Sequence, residues 1–178
     1  MSVLRFYGTK SDRHAYLRFK AGLVYHYGQR VRFLTLTGLR DDYRRAFKLL
    51  REWVFRNYGK MAYFAVRTTE GLGVLHIVFV GPFLPYDALS AYWQTLTGCW
   101  SVSVSEVRDF TRISWEMTRQ HMRCRYSQSR DWLPKGLMSY WVYFKRVRPY
   151  DSWYEFVYMY PHYAPFVLET SRQAYLPV

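Results

Sequence analysis

Residues 61–80, MAYFAVRTTEGLGVLHIVFV, decide how this chain folds. Residues 61–68 (MAYFAVRT) and 73–80 (GVLHIVFV) are runs rich in β-branched and aromatic side chains. The short Glu70-Gly71-Leu72 connection between them has turn composition, and the whole predicts an antiparallel hairpin. Working outward, residues 31–37 (VRFLTLT) alternate apolar and polar side chains up to Gly38, which predicts a strand with one solvent-accessible face. Between this strand and the hairpin, Tyr43, Phe47, Leu50, Val54 and Tyr58 recur at helical spacing. Asp41 and Asp42 sit where a first turn would be and Gly59 follows the last, so a helix is expected over about 40–58. Beyond the hairpin, Pro82 and Pro85 break the chain, and residues 86–96 place Ala88, Leu89, Tyr92 and Leu96 on one helical face. Residues 100–107 (WSVSVSEV) alternate strictly and read as a fourth strand.

The order strand, helix, strand, strand, helix, strand predicts the α+β class. More narrowly it predicts a ferredoxin-like (split βαβ) antiparallel sheet with helices packed on one face. Leu34, Leu36, Phe64, Val66, Val102 and Val104 are expected to face those helices. Thr35, Thr37, Tyr63, Ala65, Arg67, Ser101, Ser103 and Ser105 are then expected on a free face. Residues 1–30 read as an N-terminal extension with a short strand and a helix around 16–25, and residues 31–136 as the main domain. Residues 110–122 read as a further helix through Phe110, Ile113, Met117 and His121. Residues 137–178 read as C-terminal helices, over 137–147 and 152–160, and a tail on the same domain. A length of 178 residues suits one domain with its own core.

Two features of the composition bear on partners. Lys and Arg number 26 against 13 Asp and Glu, for a formal charge of +13, and aromatic residues make up 21%. That charge attracts polyanions, and rings beside cations suit unpaired bases, since the ring stacks on the base while the cation takes the phosphate. No apolar run approaches the roughly 18 residues of a membrane span. The opening MSVLRFYGTKSDRH lacks a signal-peptide core, so a soluble cytoplasmic protein is expected. Cys99 and Cys124 have no metal-binding spacing and are expected to be reduced and buried. No phosphate-cradling glycine loop, zinc spacing or nucleophile elbow occurs, so no small-molecule cofactor is expected.

The segments FLTLT (33–37), TTEGLGVLHIVFVGPFLPYDALSAYWQTLTG (68–98) and RYSQSRDWLPKG (125–136) stand in an order that resembles the rolling-circle replication initiators of the HUH endonuclease superfamily. The last of them is similar to the Arg-Ser-x-Ser-Arg-x-Trp segment of many such initiators. The resemblance implies a protein that binds single-stranded or hairpin DNA in plasmid or virus replication. It implies nicking through a tyrosine, aided by Mg or Mn held by two histidines on one strand. Residues i and i+2 of a strand share a face, so His-x-His offers two ligands to one ion.

Here His76-Ile77-Val78 stands where that family has His, a hydrophobe and His, leaving His76, with Glu70, as the implied metal ligands. If residues 70–73 form the loop of a regular hairpin, Arg67 lies opposite His76, where a cation opposes a metal. The family's tyrosine lies on the helix after the fourth strand, but residues 110–122 (FTRISWEMTRQHM) contain none, and Tyr126 is the nearest candidate nucleophile. Separately from the resemblance, residues 119–135 (RQHMRCRYSQSRDWLPK) interleave cations with rings against the single acid Asp131. Arg119, Arg123, Arg125, Tyr126, Arg130, Trp132 and Lys135 are therefore the candidate nucleic-acid contacts. Three readings stay open: an initiator-like nickase, a non-catalytic single-strand-binding protein on the same fold, and a structural or partner-binding protein that shares the fold and whose positive charge is incidental.

Overall fold

The computed structural model describes residues 28–38, 43–68, 73–99, 101–109 and 126–133. It also describes Ala15, Arg18, Phe19, Ala21, Gly22, Leu23, Tyr25, His26, Gly71, Ile113 and Met117. Its elements are β1 (Val31–Thr37), α1 (Tyr43–Asn57), β2 (Ala62–Thr68), β3 (Val74–Val80), α2 (Tyr86–Thr97), β4 (Val102–Glu106) and β5 (Tyr126–Gln128). The strands form one open antiparallel sheet in the order β4-β1-β3-β2-β5, so the class is α+β. The expected strand in the first 30 residues, Asp41 and Asp42, and the helices over 137–147 and 152–160 lie outside the described residues.

Each helix forms where apolar spacing and end residues agree. α1 buries Ala46, Phe47, Leu50 and Val54 along one stripe, with Arg56 in its last turn, where a cation complements the helix dipole. α2 begins after Pro85, carries Asp87 in its first turn and ends at Gly98 in the left-handed conformation (φ 74°), whose N–H donates to the Gln94 carbonyl. Both helices pack on one face of the sheet, over Leu34, Leu36, Tyr63, Ala65, Leu75, Ile77, Phe79 and Val102. Trp93 of α2 is wholly buried, and its indole N–H donates to the Thr37 carbonyl at 2.9 Å, pinning α2 to the end of β1.

The other face is not free, as the alternation pattern suggests, but half covered. The described residues from Ala15 to Tyr25 are helical. Ala15, Phe19, Ala21 and Leu23, with Ile113, Met117, Trp132 and Leu133, cover Val31, Phe64, Val66 and Val78. The expected phase of β2 is therefore reversed: Tyr63 and Ala65 face α1, while Phe64 and Val66 face the second layer. The physical reason is that residues 63–66 are all buried, so neither face of β2 is polar and alternation carries no information about direction.

The cover is held by a ring cluster. Trp132 stacks on Phe19 (centroids 6.1 Å apart) and leans on Phe64 and His26. Its ring approaches the backbone so closely that a side chain at Gly22 would collide with it. His26 is also buried, and its Nε2–H donates to the Asp131 carbonyl at 3.2 Å. Burial holds the His26 imidazole below its ordinary value of 6.5, against hydrogen bonds to Gln29 and Asp131 and the nearby Asp131 carboxylate, which raise it. The unfolded chain thus binds this proton at a higher pH than the folded one. Unfolding free energy should rise with pH up to about 6.5 and flatten above it. Thermal melts on either side of that pH, repeated for His26→Gln, check this: the variant should lose the slope.

Candidate nucleic-acid interface

Cross-strand pairing fixes which side chains share the partly open face. Thr35 pairs with His76 on one side and with Ser103 on the other. His76 pairs with Val66, and Val66 with Tyr126. Directly paired residues point to the same face, so Ser103, Thr35, His76, Val66 and Tyr126 form a single row across all five strands. The row divides at Val66. On the β2–β5 side it lies beneath the Phe19–Trp132 layer, whereas on the β4 side Ser101, Ser103 and Ser105 are exposed and Thr35, Thr37 and His76 half-buried.

The open side is lined with hydroxyls around one imidazole. His76 Nδ1 lies 3.5 Å from Thr35 Oγ1, and its ring stacks parallel to Phe33 at 5.6 Å, with an interplanar angle of 3°. Phe33 also lines an open cavity of about 400 Å³ with Ser105, Glu106, Arg108 and Asp109. A hydroxyl donates or accepts, and those of Ser101, Ser103 and Ser105 are exposed, whereas His76 Nε2 is buried. The surface can therefore hold phosphate oxygens or base edges, with an aromatic ring and a cavity beside them. Cys99 borders it and is half-buried rather than buried, its Sγ 3.4 Å from Thr37 Oγ1. Cys124 lies outside the described residues.

Two of the residues read from the sequence are thus brought together. His76 and Tyr126 lie on one row, two strand spacings or roughly 10 Å apart along the sheet. Tyr126 is half-buried and its ring stacks on Phe64 at 5.3 Å, which takes up one ring face. The expected juxtaposition of Arg67 and His76 does not occur. The hairpin connection is one residue longer at its start, so Arg67 pairs with Leu75 and points to the opposite face.

A two-histidine ion does not fit these residues. Val78, where the second histidine would stand, is wholly buried against the second layer, between Phe33 and Phe64 in the register. Glu70 lies outside the described residues. Among the described residues no three His, Cys, Asp or Glu side chains cluster as metal ligands.

The cation-rich segment divides as well. Arg130 is exposed in the turn after β5 and remains available to a ligand. Trp132, expected as a nucleic-acid contact, is instead a core side chain at 0% exposure and presents no ring to a base. The cations interleaved around it in sequence suggest a surface, but Phe19, Phe64 and His26 enclose it. Arg119, Arg123, Arg125 and Lys135 lie outside the described residues. No protein-family model matches this chain, nor does any curated protein or solved structure. Among the described residues no helix is long and apolar enough to cross a membrane.

Sequence reading missed β5 altogether, because three residues are too few for an alternation signal. It also missed Phe33 as the ring beside His76. The signal was present in the i, i+2 relation of Phe33 and Thr35, which puts both on one face.

Proposed function

We propose that this protein binds single-stranded DNA across the open half of its sheet, centred on His76, as a diverged, initiator-like protein that does not use a two-histidine metal. The observation that carries the proposal is the continuous row Ser103–Thr35–His76 beside the Phe33 ring. Exposed hydroxyls suit phosphate and sugar oxygens, which receive most hydrogen bonds in such complexes and position the strand. The Phe33 ring and its adjoining cavity suit an unstacked base. The charge of +13 supplies the long-range attraction.

The strand order β4-β1-β3-β2, with α1 between β1 and β2 and α2 between β3 and β4, supports reading the framework as split βαβ, or ferredoxin-like. β5 extends that sheet at one edge. The burial of Val78 favours binding over nicking, since it leaves His76 without the second imidazole the resemblance implies.

Labelled oligonucleotides titrated with the protein at several salt concentrations test binding, and a denaturing gel with Mn²⁺ tests nicking. Expected are affinity for single strands that falls steeply with salt and no covalent protein–DNA band. A metal-dependent band lost in Tyr126→Phe would overturn the non-catalytic part. Absence of salt-sensitive binding would overturn the proposal itself.

A further inference from the structure

At the opposite edge of the sheet, on the face covered by α1, lies a second set of cations. Tyr43, Phe47 and Arg51 recur every four residues along α1, so they line one stripe of the helix. Tyr63, Ala65 and Arg67 alternate along β2 and face that stripe. The Arg67 guanidinium lies 4.2 Å over the Tyr43 ring, and Arg44 Nε donates to the Tyr43 hydroxyl at 3.3 Å. At the other end, Arg51 lies 5.1 Å over Phe47 and 5.3 Å over Tyr63, and donates to the Tyr63 hydroxyl at 2.8 Å.

Eight helical residues and four strand residues each span roughly 12–13 Å, so the two arginine–tyrosine contacts stand about that far apart. Between them lie two small side chains, Ala65 and its partner Ser127 on β5, the latter exposed. The Tyr63 end is tied to the chain after β5: the Tyr63 N–H donates to Ser129 Oγ, and the Ser129 N–H to the Tyr63 carbonyl. Exposed Arg130 follows directly.

On the outer surface of α1, Glu52 pairs with Lys48 at 3.9 Å and with Arg56 at 3.6 Å. Among the described residues neither Arg51 nor Arg67 meets a carboxylate, although both are half-buried and the Nε atom of each is buried without a hydrogen bond. A half-buried guanidinium with hydrogen-bonding capacity to spare gains from an anion that completes it. Rings hold both guanidiniums in place before any ligand arrives, which lowers the ordering cost of binding.

We infer that this edge of the sheet, where α1 meets β2 and β5 follows, is a phosphodiester track: Arg67 with Arg44 at one end, and Arg51 with Arg130 at the other, each take a backbone phosphate of bound nucleic acid. The inference rests on the nucleic-acid reading of the His76 face and adds a second contact surface at the opposite edge.

The test is a salt titration of a labelled oligo-dT with full-length protein and with Arg51→Gln/Arg67→Gln. Losing two phosphate contacts should reduce the slope of log affinity against log salt by about 1.4 and weaken low-salt binding by on the order of tenfold. Arg51→Lys/Arg67→Lys keeps the charge and should restore the slope. If the Gln variant fails to fold, Ser127→Glu places an anion between the two arginines from an exposed position, and weaker binding is expected again. Unchanged affinity and slope in the folded Gln variant, or in Ser127→Glu, would overturn the track while leaving the His76 face intact. No binding by the unaltered protein would overturn both.

Discussion

Replacing Trp132 with alanine is expected to lower the unfolding free energy by about 3–5 kcal/mol, the range for removing a large aromatic side chain from a core. In a chain of this size that corresponds to a fall in Tm on the order of 10 °C. The effect should be this large because the indole is fully buried and joins three partners. It stacks on Phe19 from the N-terminal layer, leans on Phe64 of the sheet, and touches His26. Gly22 is the complementary test: any side chain there must displace the same ring, so Gly22→Leu should destabilise by about 1–3 kcal/mol or more. Thermal unfolding followed by circular dichroism checks both. A Trp132→Ala protein that melts within a few degrees of the parent, yet binds DNA poorly, would return Trp132 to the surface role its sequence neighbours suggest.

Ser103→Glu should weaken single-strand binding by roughly tenfold or more without affecting folding. A unit charge some 6 Å from a phosphate is worth between about 0.7 kcal/mol in water-like surroundings and about 3 kcal/mol at a partly screened surface. Ser103 is exposed on an edge strand, where substitutions usually change stability by less than about 0.5 kcal/mol. Its partner Thr35 stands between it and His76, so the new carboxylate enters the row directly. Ser103→Ala removes only one hydroxyl and should cost about 1 kcal/mol or less. Fluorescence anisotropy with a labelled oligonucleotide measures both. Equal affinities for the parent, the alanine variant and the glutamate variant would remove the row from the interface.

Much of the framework was legible in the sequence, and the reasons for what was not are local. β1 matches its expected limits, and α1, β2, β3, α2 and β4 fall within a few residues of theirs, because β1, β4 and the helices carry a clear period and β2 and β3 are apolar runs beside turn residues. Leu34 and Leu36 against Thr35 and Thr37 gave the direction of β1, since one side of that strand is polar. β2 offered no such contrast, because Tyr63, Phe64, Ala65 and Val66 are buried on two different faces. The second layer was hidden for the same reason: nothing in Ala15, Phe19 or Trp132 taken singly announces which face of the sheet it covers.

At the site, His76 could be singled out by residue type, but its setting depended on register. A slip of one residue in the hairpin separated Arg67 from His76, and long-range pairing with Thr35 and Val66 put His76 in a row with Ser103 and Tyr126. The Arg51 and Arg67 pair escaped notice because contacts between a helix stripe and a strand have no short sequence signature. Trp132 misled because a buried indole and a stacking indole read alike among arginines.

The most direct test of where DNA binds is a titration of the isotopically labelled protein with oligo-dT, followed by amide chemical shifts. The largest changes are expected at Phe33, Thr35, His76, Ser103 and Ser105, which span the open half of the sheet, while Leu36 and Ile77 beneath α1 and α2 should stay nearly still. Changes absent from that row at saturating DNA would contradict binding across the His76 face.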